Sequence, residues 1–194
     1  MLRDFRRSMP LADLTLEEGL MPAVLPALRA GSVDFAIAAL IQETLGSEFD
    51  FEPLKTLDVM VAGRRGHPLA HATRWEDLLD CDWLMQLSPG SQHTFLLDQL
   101  QRLGLQLPRR IIKTNTFGVT SSLLATTDAL STIPSGILKI GPQADQLTRI
   151  PVELPLQPLT LGIVTLRDNP LSLAATQFAS LFRDALSRAN EALG

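Results

Sequence analysis

Few residues of this chain have the type and spacing that catalysis or metal binding requires. His67 and His71 are four residues apart, but an intervening proline prevents them from forming a metal-binding pair on one helix. The single cysteine, Cys81, excludes an internal disulfide and a cysteine-rich zinc site. Glu17 and Glu18 are adjacent, so on a strand their carboxylates would point to opposite faces. We therefore predict no enzyme activity, no metal site and no cofactor, and structural or surface roles for the histidines.

The segment Ser88–Ser91, which reads Ser-Pro-Gly-Ser, has the residue types of an anion-binding turn. It lies between a predicted strand and a predicted helix, where backbone N–H groups and the helix dipole favour a carboxylate or another anion. Capping of that helix by Ser88 or Ser91 explains the same pattern without a ligand. The segment Asn115–Phe117 follows another predicted strand and offers hydrogen-bonding groups and a ring, although an ordinary polar loop would look similar. Both turns are candidate ligand sites.

The elements around these turns alternate between helices and strands, as apolar spacing and turn residues indicate. Pro26 predicts that its helix begins late or is kinked, and the apolar segment 33–40 is typical of a buried parallel strand. Strands are predicted over 12–18, 33–40, 57–63, 82–87, 110–114, 129–133 and 159–166. Helices are predicted over 2–8, 21–30, 75–79 and 118–127, before Gly104, and after Ser172.

Composition excludes several broad classes of protein. With 45% hydrophobic and 20% charged residues, the 194-residue chain can bury a core, so disorder is not expected. Its apolar runs are too short to span a membrane. The net charge of −4 makes it a poor autonomous nucleic-acid binder, and the doublets Arg64-Arg65 and Arg109-Arg110 are predicted to be solvated charges. No secretory signal is visible, so we expect a cytoplasmic protein.

Two stretches rich in strand–helix units, joined by two extended segments, predict an α/β protein with two lobes. Lobe I is predicted to comprise residues 1–62 and 163–194, and lobe II residues 63–162. A cleft between such lobes is the expected ligand site, because strand carboxyl ends and helix N-termini converge there.

The order of these pieces resembles the effector-binding domain of LysR-type transcriptional regulators over nearly the whole chain. Each matching motif is too common to identify a family by itself, and the resemblance rests on the order and spacing of the motifs. The matching features are Glu18-Gly19 after the first strand, Leu28 and Gly31 at the end of a helix, Asp34 to Ile37 in a strand, His67-Pro68-Leu69 at the crossover, Ile133-Pro134, and Leu171 to Leu181 in the last helix.

The resemblance implies a two-lobed periplasmic-binding-protein-like fold of type 2, with two Rossmann-like lobes joined by two crossover strands. It also implies a cytoplasmic bacterial protein that binds a small organic anion, with aromatic acids as one candidate class. The domain is expected to form a homodimer, and the full-length regulator a tetramer. The family's effector contacts correspond here to Gly19, Leu20 and Ala39 in lobe I and to Pro89, Gly90, Ser91, Asn115, Thr116, Phe117, Ser131 and Pro134 in lobe II.

The sequence departs from the family pattern at its beginning. The winged helix-turn-helix is absent, so DNA contact is expected only through an N-terminal domain missing here. The first strand of lobe I is also missing, which predicts that Met1 is a truncation or a misassigned start and that the lobe I sheet keeps an exposed or partner-filled position. The family's glycine-rich stretch before Ile133 reads Thr126 to Ser131 here.

Two other functions remain open at this point. A stand-alone solute-binding protein of the same fold would be exported, whereas an enzyme on this scaffold would need a catalytic triad, metal ligands or a carboxylate pair. The sequence offers none of these three arrangements in an interpretable form.

Overall fold

The computed structural model of the protein describes residues 1–41, 45–140 and 144–191. None of the helices in this part of the chain is long and apolar enough to cross a membrane. The chain divides into two compact units, and the sequence prediction placed the changes of lobe after residues 62 and 162. Unit 1 comprises Met1–Ala38, Leu45–Leu54 and Gly162–Gly194, and unit 2 comprises Ala39–Thr44 and Lys55–Leu161.

Unit 1 is built on a three-stranded sheet with the order β1-β8-β2. Helix α1 packs against helix α6, where the rings of Phe5 and Phe178 meet edge to face with centroids 5.2 Å apart. Both rings are buried, so this aromatic contact forms part of the core of the unit. The elements that lie wholly or mostly in unit 1 are α1 (Leu2–Ser8), α2 (Met21–Arg29), β1 (Ala36–Leu40), β2 (Phe49–Leu57), β8 (Leu159–Leu166) and α6 (Leu173–Glu191).

Two sequence predictions for unit 1 are wrong. The strand predicted over 12–18 does not form, because an alternating pattern makes a strand only where a neighbouring strand completes its hydrogen bonds. Strand β1 is an outer strand rather than a buried one, and its Ile37 is 39% exposed. Of the two alternatives predicted for helix α2, a late start is not observed, since the helix starts at Met21 and contains Pro26, and a kink at Pro26 stays a prediction.

Unit 2 contains an antiparallel sheet with the order β6-β3-β7 and a parallel pair formed by β4 and β5. A parallel bridge between Trp83 and Leu130 places β4 beside the start of β6. The helices α3 and α4 follow β4 and β5 respectively, as predicted. The elements are β3 (Val59–Arg64), β4 (Asp82–Met85), α3 (Gln92–Arg102), β5 (Arg110–Lys113), α4 (Phe117–Thr126), β6 (Ser131–Pro134), α5 (Ile137–Ile140), β7 (Leu147–Arg149) and two 3-10 helices, Trp75–Leu78 and Ala144–Gln146.

Two apolar clusters stabilise unit 2. Trp83 is fully buried in the first cluster, where its ring contacts Trp75 and helix α3 contributes Leu96 and Leu100. The second cluster joins β3 to α4 through Met60 and Leu124. Strand β4 contributes to both clusters, so the point at which it ends is well fixed by packing.

The His67 side chain has a structural role at the crossover turn. Its Nδ1 accepts the Leu69 N–H at 3.0 Å, which leaves the proton on Nε2 to be donated to the Asp128 carbonyl at 3.0 Å. A Cβ atom at Gly63 would lie 3.2 Å from the His67 ring and 3.0 Å from the Leu130 side chain. Glycine at position 63 therefore makes room for the buried histidine, which confirms the structural role predicted for it.

Candidate functional site

The turn between β4 and α3 contains the candidate residues Pro89, Gly90 and Ser91. Ser91 is the N-cap of α3: its Oγ accepts the Thr94 N–H at 3.2 Å and donates to the Gln86 carbonyl at 2.6 Å. Gly90 has a φ of +75°, a conformation that residues with a side chain rarely adopt. The capping interpretation is thus confirmed for Ser91, and its contact with an effector stays a prediction.

The loop between β5 and α4 contains the candidates Asn115, Thr116 and Phe117. Thr116 is the N-cap of α4, and its Oγ1 accepts the Val119 N–H at 3.2 Å. Asn115 and Phe117 are exposed, as is Val119 in the first turn of the helix. Contact of the three candidates with an effector stays a prediction.

These two loops leave the same edge of the parallel pair. The register of β4 and β5 ends with Met85 opposite Lys113, and the Thr114 N–H continues the pairing by donating to the Met85 carbonyl at 3.0 Å. Helices α3 and α4 both begin beyond this edge, and neither has an acidic residue in its first turn. The positive ends of two helix dipoles therefore follow neighbouring strand ends, an arrangement that favours an anion.

The third candidate segment, β6, is placed next to β4 but is buried. Ser131 is fully buried, and its Oγ donates to the Leu84 carbonyl at 2.6 Å. Pro134 lies opposite Val59 in the antiparallel sheet and is half-buried. The structure thus brings β6 beside β4 and its following turn, but direct contact of the Ser131 hydroxyl with an effector would require this hydrogen bond to open.

His93 is the residue in this region whose importance the sequence did not reveal. Its ring is buried, and burial lowers the pKa of His93 to about 4, so the imidazole is neutral at pH 7. Nδ1 accepts the Gln86 N–H at 3.2 Å, and Nε2 lies 3.3 Å from Ser131 Oγ. The sequence signal was its position two residues after the cap Ser91, which by itself does not distinguish it from a surface histidine.

Two buried polar atoms in this region have no hydrogen-bond partner within the described residues. They are Nε2 of Gln92, the first residue of α3, and Oγ1 of Thr132 in β6. Each belongs to the residue that follows a predicted effector contact, Ser91 and Ser131. Because buried polar groups are usually paired, these atoms are the kind of groups that a bound ligand would satisfy.

The remaining candidates lie outside these loops. Gly19 and Leu20 immediately precede α2 in unit 1, with Leu20 as a cap residue whose side chain makes no capping hydrogen bond. A Cβ atom at Gly19 would make only an ordinary contact with Val24, at 3.7 Å, so packing does not require glycine there. Ala39 is exposed in β1. A shared site for these three residues and the loops of unit 2 stays a prediction.

An open surface pocket of about 400 Å³ in unit 1 contains none of the predicted residues. Asp50 and Asp168 contribute negative charge, and Asp50 is paired with Arg167 at 2.9 Å. This lining disfavours an anion. The pocket is lined by Asp50, Thr165, Leu166, Asp168, Asn169, Pro170 and Leu171.

Comparison with known proteins identifies the fold and the type of domain. The family model described as the LysR substrate binding domain matches residues 1–187. The HTH-type transcriptional regulator TdcA of Escherichia coli K12 is 26% identical over 185 residues, which cover 95% of this chain and 58% of TdcA. The chain therefore spans less than three fifths of the length of that relative.

Solved structures agree with this family match. The regulatory domain of Synechocystis PCC6803 CcmR, in complex with 2-PG, has a TM-score of 0.72 at 17% identity and covers 95% of this chain and 88% of its own. The BenM effector binding domain with benzoate has a TM-score of 0.65 at 21% identity and covers 100% and 86%. The predicted α/β fold of LysR effector-binding domains is confirmed.

Proposed function

The chain belongs to the LysR substrate binding domain family, and from that membership we propose that it senses a small organic anion for a LysR-type transcriptional regulator. The observation that carries the choice of an anion is the paired start of α3 and α4 at neighbouring strand ends, with no acidic residue in either first turn. Backbone N–H groups and helix dipoles bind a carboxylate there. The unpaired amide of Gln92 adds a donor at the first residue of α3.

The ligands of the solved relatives support an organic anion as the class of ligand, and this support extends to the class and not to one compound. The BenM domain was solved with benzoate, a carboxylate on an aromatic ring. In this chain the exposed Phe117 ring follows the cap of α4 and offers an apolar surface beside a helix N-terminus. An aromatic or other compact organic acid would use both features at once.

Binding would act on transcription by shifting a population of states. A ligand changes an equilibrium only when its affinity differs between the two states, so the effector binds one arrangement of the regulator more tightly. We place the protein in the cytoplasm as a homodimer that catalyses no reaction, with DNA contacts made by a separate N-terminal domain. Family membership favours this function over a stand-alone solute-binding protein.

Titration calorimetry of the full chain with matched pairs of compounds tests the proposal. Benzoate and 2-PG, with aliphatic carboxylates and sulfonates, would be compared with neutral isosteres such as benzamide. We expect at least one anion to bind saturably and its neutral isostere to bind on the order of tenfold more weakly or not at all, because the isostere carries no charge for the helix ends. Equal binding of the neutral and charged members, or the absence of binding by every anion, would contradict the proposal.

A further inference from the structure

The turn between β4 and α3 is held by three side chains from the start of α3. Ser91 Oγ donates to the Gln86 carbonyl at 2.6 Å, and Thr94 Oγ1 donates to the Ser88 carbonyl at 2.9 Å. His93 Nδ1 accepts the Gln86 N–H at 3.2 Å. Both backbone groups of Gln86 are therefore fixed by residues at the start of α3, and within the described residues His93 is the acceptor of the N–H group.

The same ring connects this turn to β6. Because Nδ1 accepts the Gln86 N–H, the proton of the neutral ring is on Nε2, which lies 3.3 Å from Ser131 Oγ. The Ser131 hydroxyl donates its own proton to the Leu84 carbonyl at 2.6 Å, so its oxygen is the acceptor for His93. The three hydrogen bonds therefore run in one direction, from the Gln86 N–H through His93 and Ser131 to the Leu84 carbonyl, and we call them the His93 relay. This direction fixes the Nε2–H tautomer of His93.

We propose that His93 is a positioning residue of the effector site, which holds the Ser88–Ser91 turn in place by accepting the Gln86 N–H at Nδ1, while the hydrogen bond from Nε2 to Ser131 of β6 favours the tautomer that leaves Nδ1 free to accept. The inference rests on the proposed function, since it assigns the turn to that site. His93 acts through its two neighbours and has no contact with the effector itself. A histidine that merely fills space could be replaced by any side chain of similar shape, whereas this role requires an acceptor at the position of Nδ1.

Two substitutions separate the two nitrogens. In His93→Asn, the amide oxygen can take the place of Nδ1 and accept the Gln86 N–H, but the link to Ser131 is lost. In His93→Gln, the longer amide can take the place of Nε2 and donate to Ser131, but the buried Gln86 N–H loses its acceptor. The two variants have side chains of the same polarity, so they differ mainly in which of the two hydrogen bonds of His93 they preserve.

Amide hydrogen exchange of Gln86, followed by NMR in the full chain, tests the relay without a ligand. We expect protection in the parent and in His93→Asn, and exchange roughly tenfold or more faster in His93→Gln, because an unpaired buried N–H is costly. Ring nitrogen shifts should show the Nε2–H tautomer in the parent. Equal exchange in the two variants, or the Nδ1–H tautomer, would overturn the inference. Ser131→Ala removes the same link to β6 as His93→Asn and keeps the ring, so it replaces His93→Asn if that variant fails to fold, and we expect it to leave Gln86 protected. If His93→Gln fails to fold, the tautomer of the parent ring decides, since the Nδ1–H form cannot accept the Gln86 N–H.

A binding measurement then separates this inference from the proposed function. With benzoate as the probe, we expect affinity to follow the exchange of Gln86, retained in His93→Asn and about tenfold weaker in His93→Gln. Affinity that instead follows the melting temperature of each variant would reduce His93 to a structural residue. If the parent does not bind benzoate, the aromatic-acid form of the proposed function fails, while the exchange contrast still decides whether His93 holds the turn.

Discussion

A single buried ring, His93, makes the stability of this protein sensitive to acid. Burial lowers the pKa of His93 from 6.5 to about 4 in the folded chain. Between these values the unfolded chain takes up a proton that the folded chain does not, so the unfolded state is favoured as the pH falls. The stability contribution is complete above pH 6.5 and is lost progressively toward pH 4. At ~1.4 kcal/mol per pKa unit the total loss is on the order of 3 to 4 kcal/mol.

Urea unfolding of the parent and of His93→Asn at neutral pH and at pH of about 4.5 measures this effect. The asparagine does not titrate, so the free energy of unfolding of the variant should fall less between the two conditions, by about 2 to 3 kcal/mol. Carboxylates titrate in both proteins and cancel in the comparison. An identical decline in parent and variant would show that His93 is accessible to protons in the folded state.

The role of a single residue can be predicted from the sequence where it depends only on neighbours in the chain. Ser91 precedes a predicted helix, so its capping role could be inferred from neighbours in the chain, and the structure confirms it. Thr116, predicted only as a candidate ligand residue of a loop, is also an N-cap. His93 depends on Ser131, which is 38 residues away and reaches it only because β6 pairs beside β4. No local pattern contains that register, which is why the relay could not be predicted from the sequence.

The first turn of α4 allows the effect of charge to be separated from helix stability. Thr116 is the N-cap and Val119, three residues later, is 48% exposed. Val119→Glu would complete a capping box with Thr116 and stabilise the helix, while its carboxylate repels an anion at the same helix end. We expect the melting temperature of Val119→Glu to be unchanged or higher. At low salt we expect its affinity for the anion to be lower by about tenfold.

Val119→Gln is the matched control for this substitution. Its amide can also complete the capping box but carries no charge, so it should stabilise the helix and retain affinity. Calorimetric titration and thermal unfolding of both variants provide the two readouts. Equal affinity of the glutamate and glutamine variants would mean that the anion does not bind near α4.

Strand β8 requires glycine at position 162. A Cβ atom there would lie 2.4 Å from the Glu52 carbonyl oxygen and 2.4 Å from the Phe51 ring, so β2 and β8 would have to separate. We expect Gly162→Ala to lower the free energy of unfolding by about 2 kcal/mol or more. Gly46→Ala, whose added atom makes only ordinary contacts with Glu48 at 3.7 Å, is the control and should be nearly neutral. A small effect of Gly162→Ala in denaturant unfolding would mean that the sheet relaxes easily.

At the scale of elements, the predictions succeed where a segment supplies its own partners and fail where it depends on others. Helix α3 satisfies most of its backbone groups internally, and its predicted end before Gly104 is observed. The segment 12–18 has the alternation of a strand but no regular ladder, and its Leu16 is 69% exposed. Periodicity reports which face could be buried, whereas pairing is a property of the whole sheet.

At the scale of the whole molecule, the order of motifs carries more information than any motif alone. Glu18-Gly19, the His67-Pro68-Leu69 turn and Ile133-Pro134 are each common patterns, yet their succession identified a family that the comparison over residues 1–187 supports. The effector positions do not follow in the same way. Ser131 is one of the effector positions that the resemblance implies, but it is fully buried where β6 lies beside β4.

The distribution of charge predicts that this chain does not bind DNA by itself. The net charge is −4, and its basic doublet at positions 109 and 110 is neutralised locally, with Arg109 at 2.6 Å from Asp80 and Arg110 at 3.1 Å from Asp82. Affinity for a duplex depends on free cationic groups that replace counterions at phosphates. Fluorescence anisotropy with a labelled duplex at physiological salt should therefore show dissociation constants weaker than about 10⁻⁴ M.

A double substitution tests whether these two ion pairs are the reason why the chain is expected not to bind DNA. Asp80→Asn with Asp82→Asn changes the net charge from −4 to −2 and releases both arginines. The variant should bind the duplex weakly at low salt and lose that binding as salt is added, because the attraction comes from counterion release alone. Both aspartates are largely exposed, so the free energy of unfolding should change by less than about 1 kcal/mol. Tight binding of the parent chain at physiological salt would instead place DNA contacts within this domain.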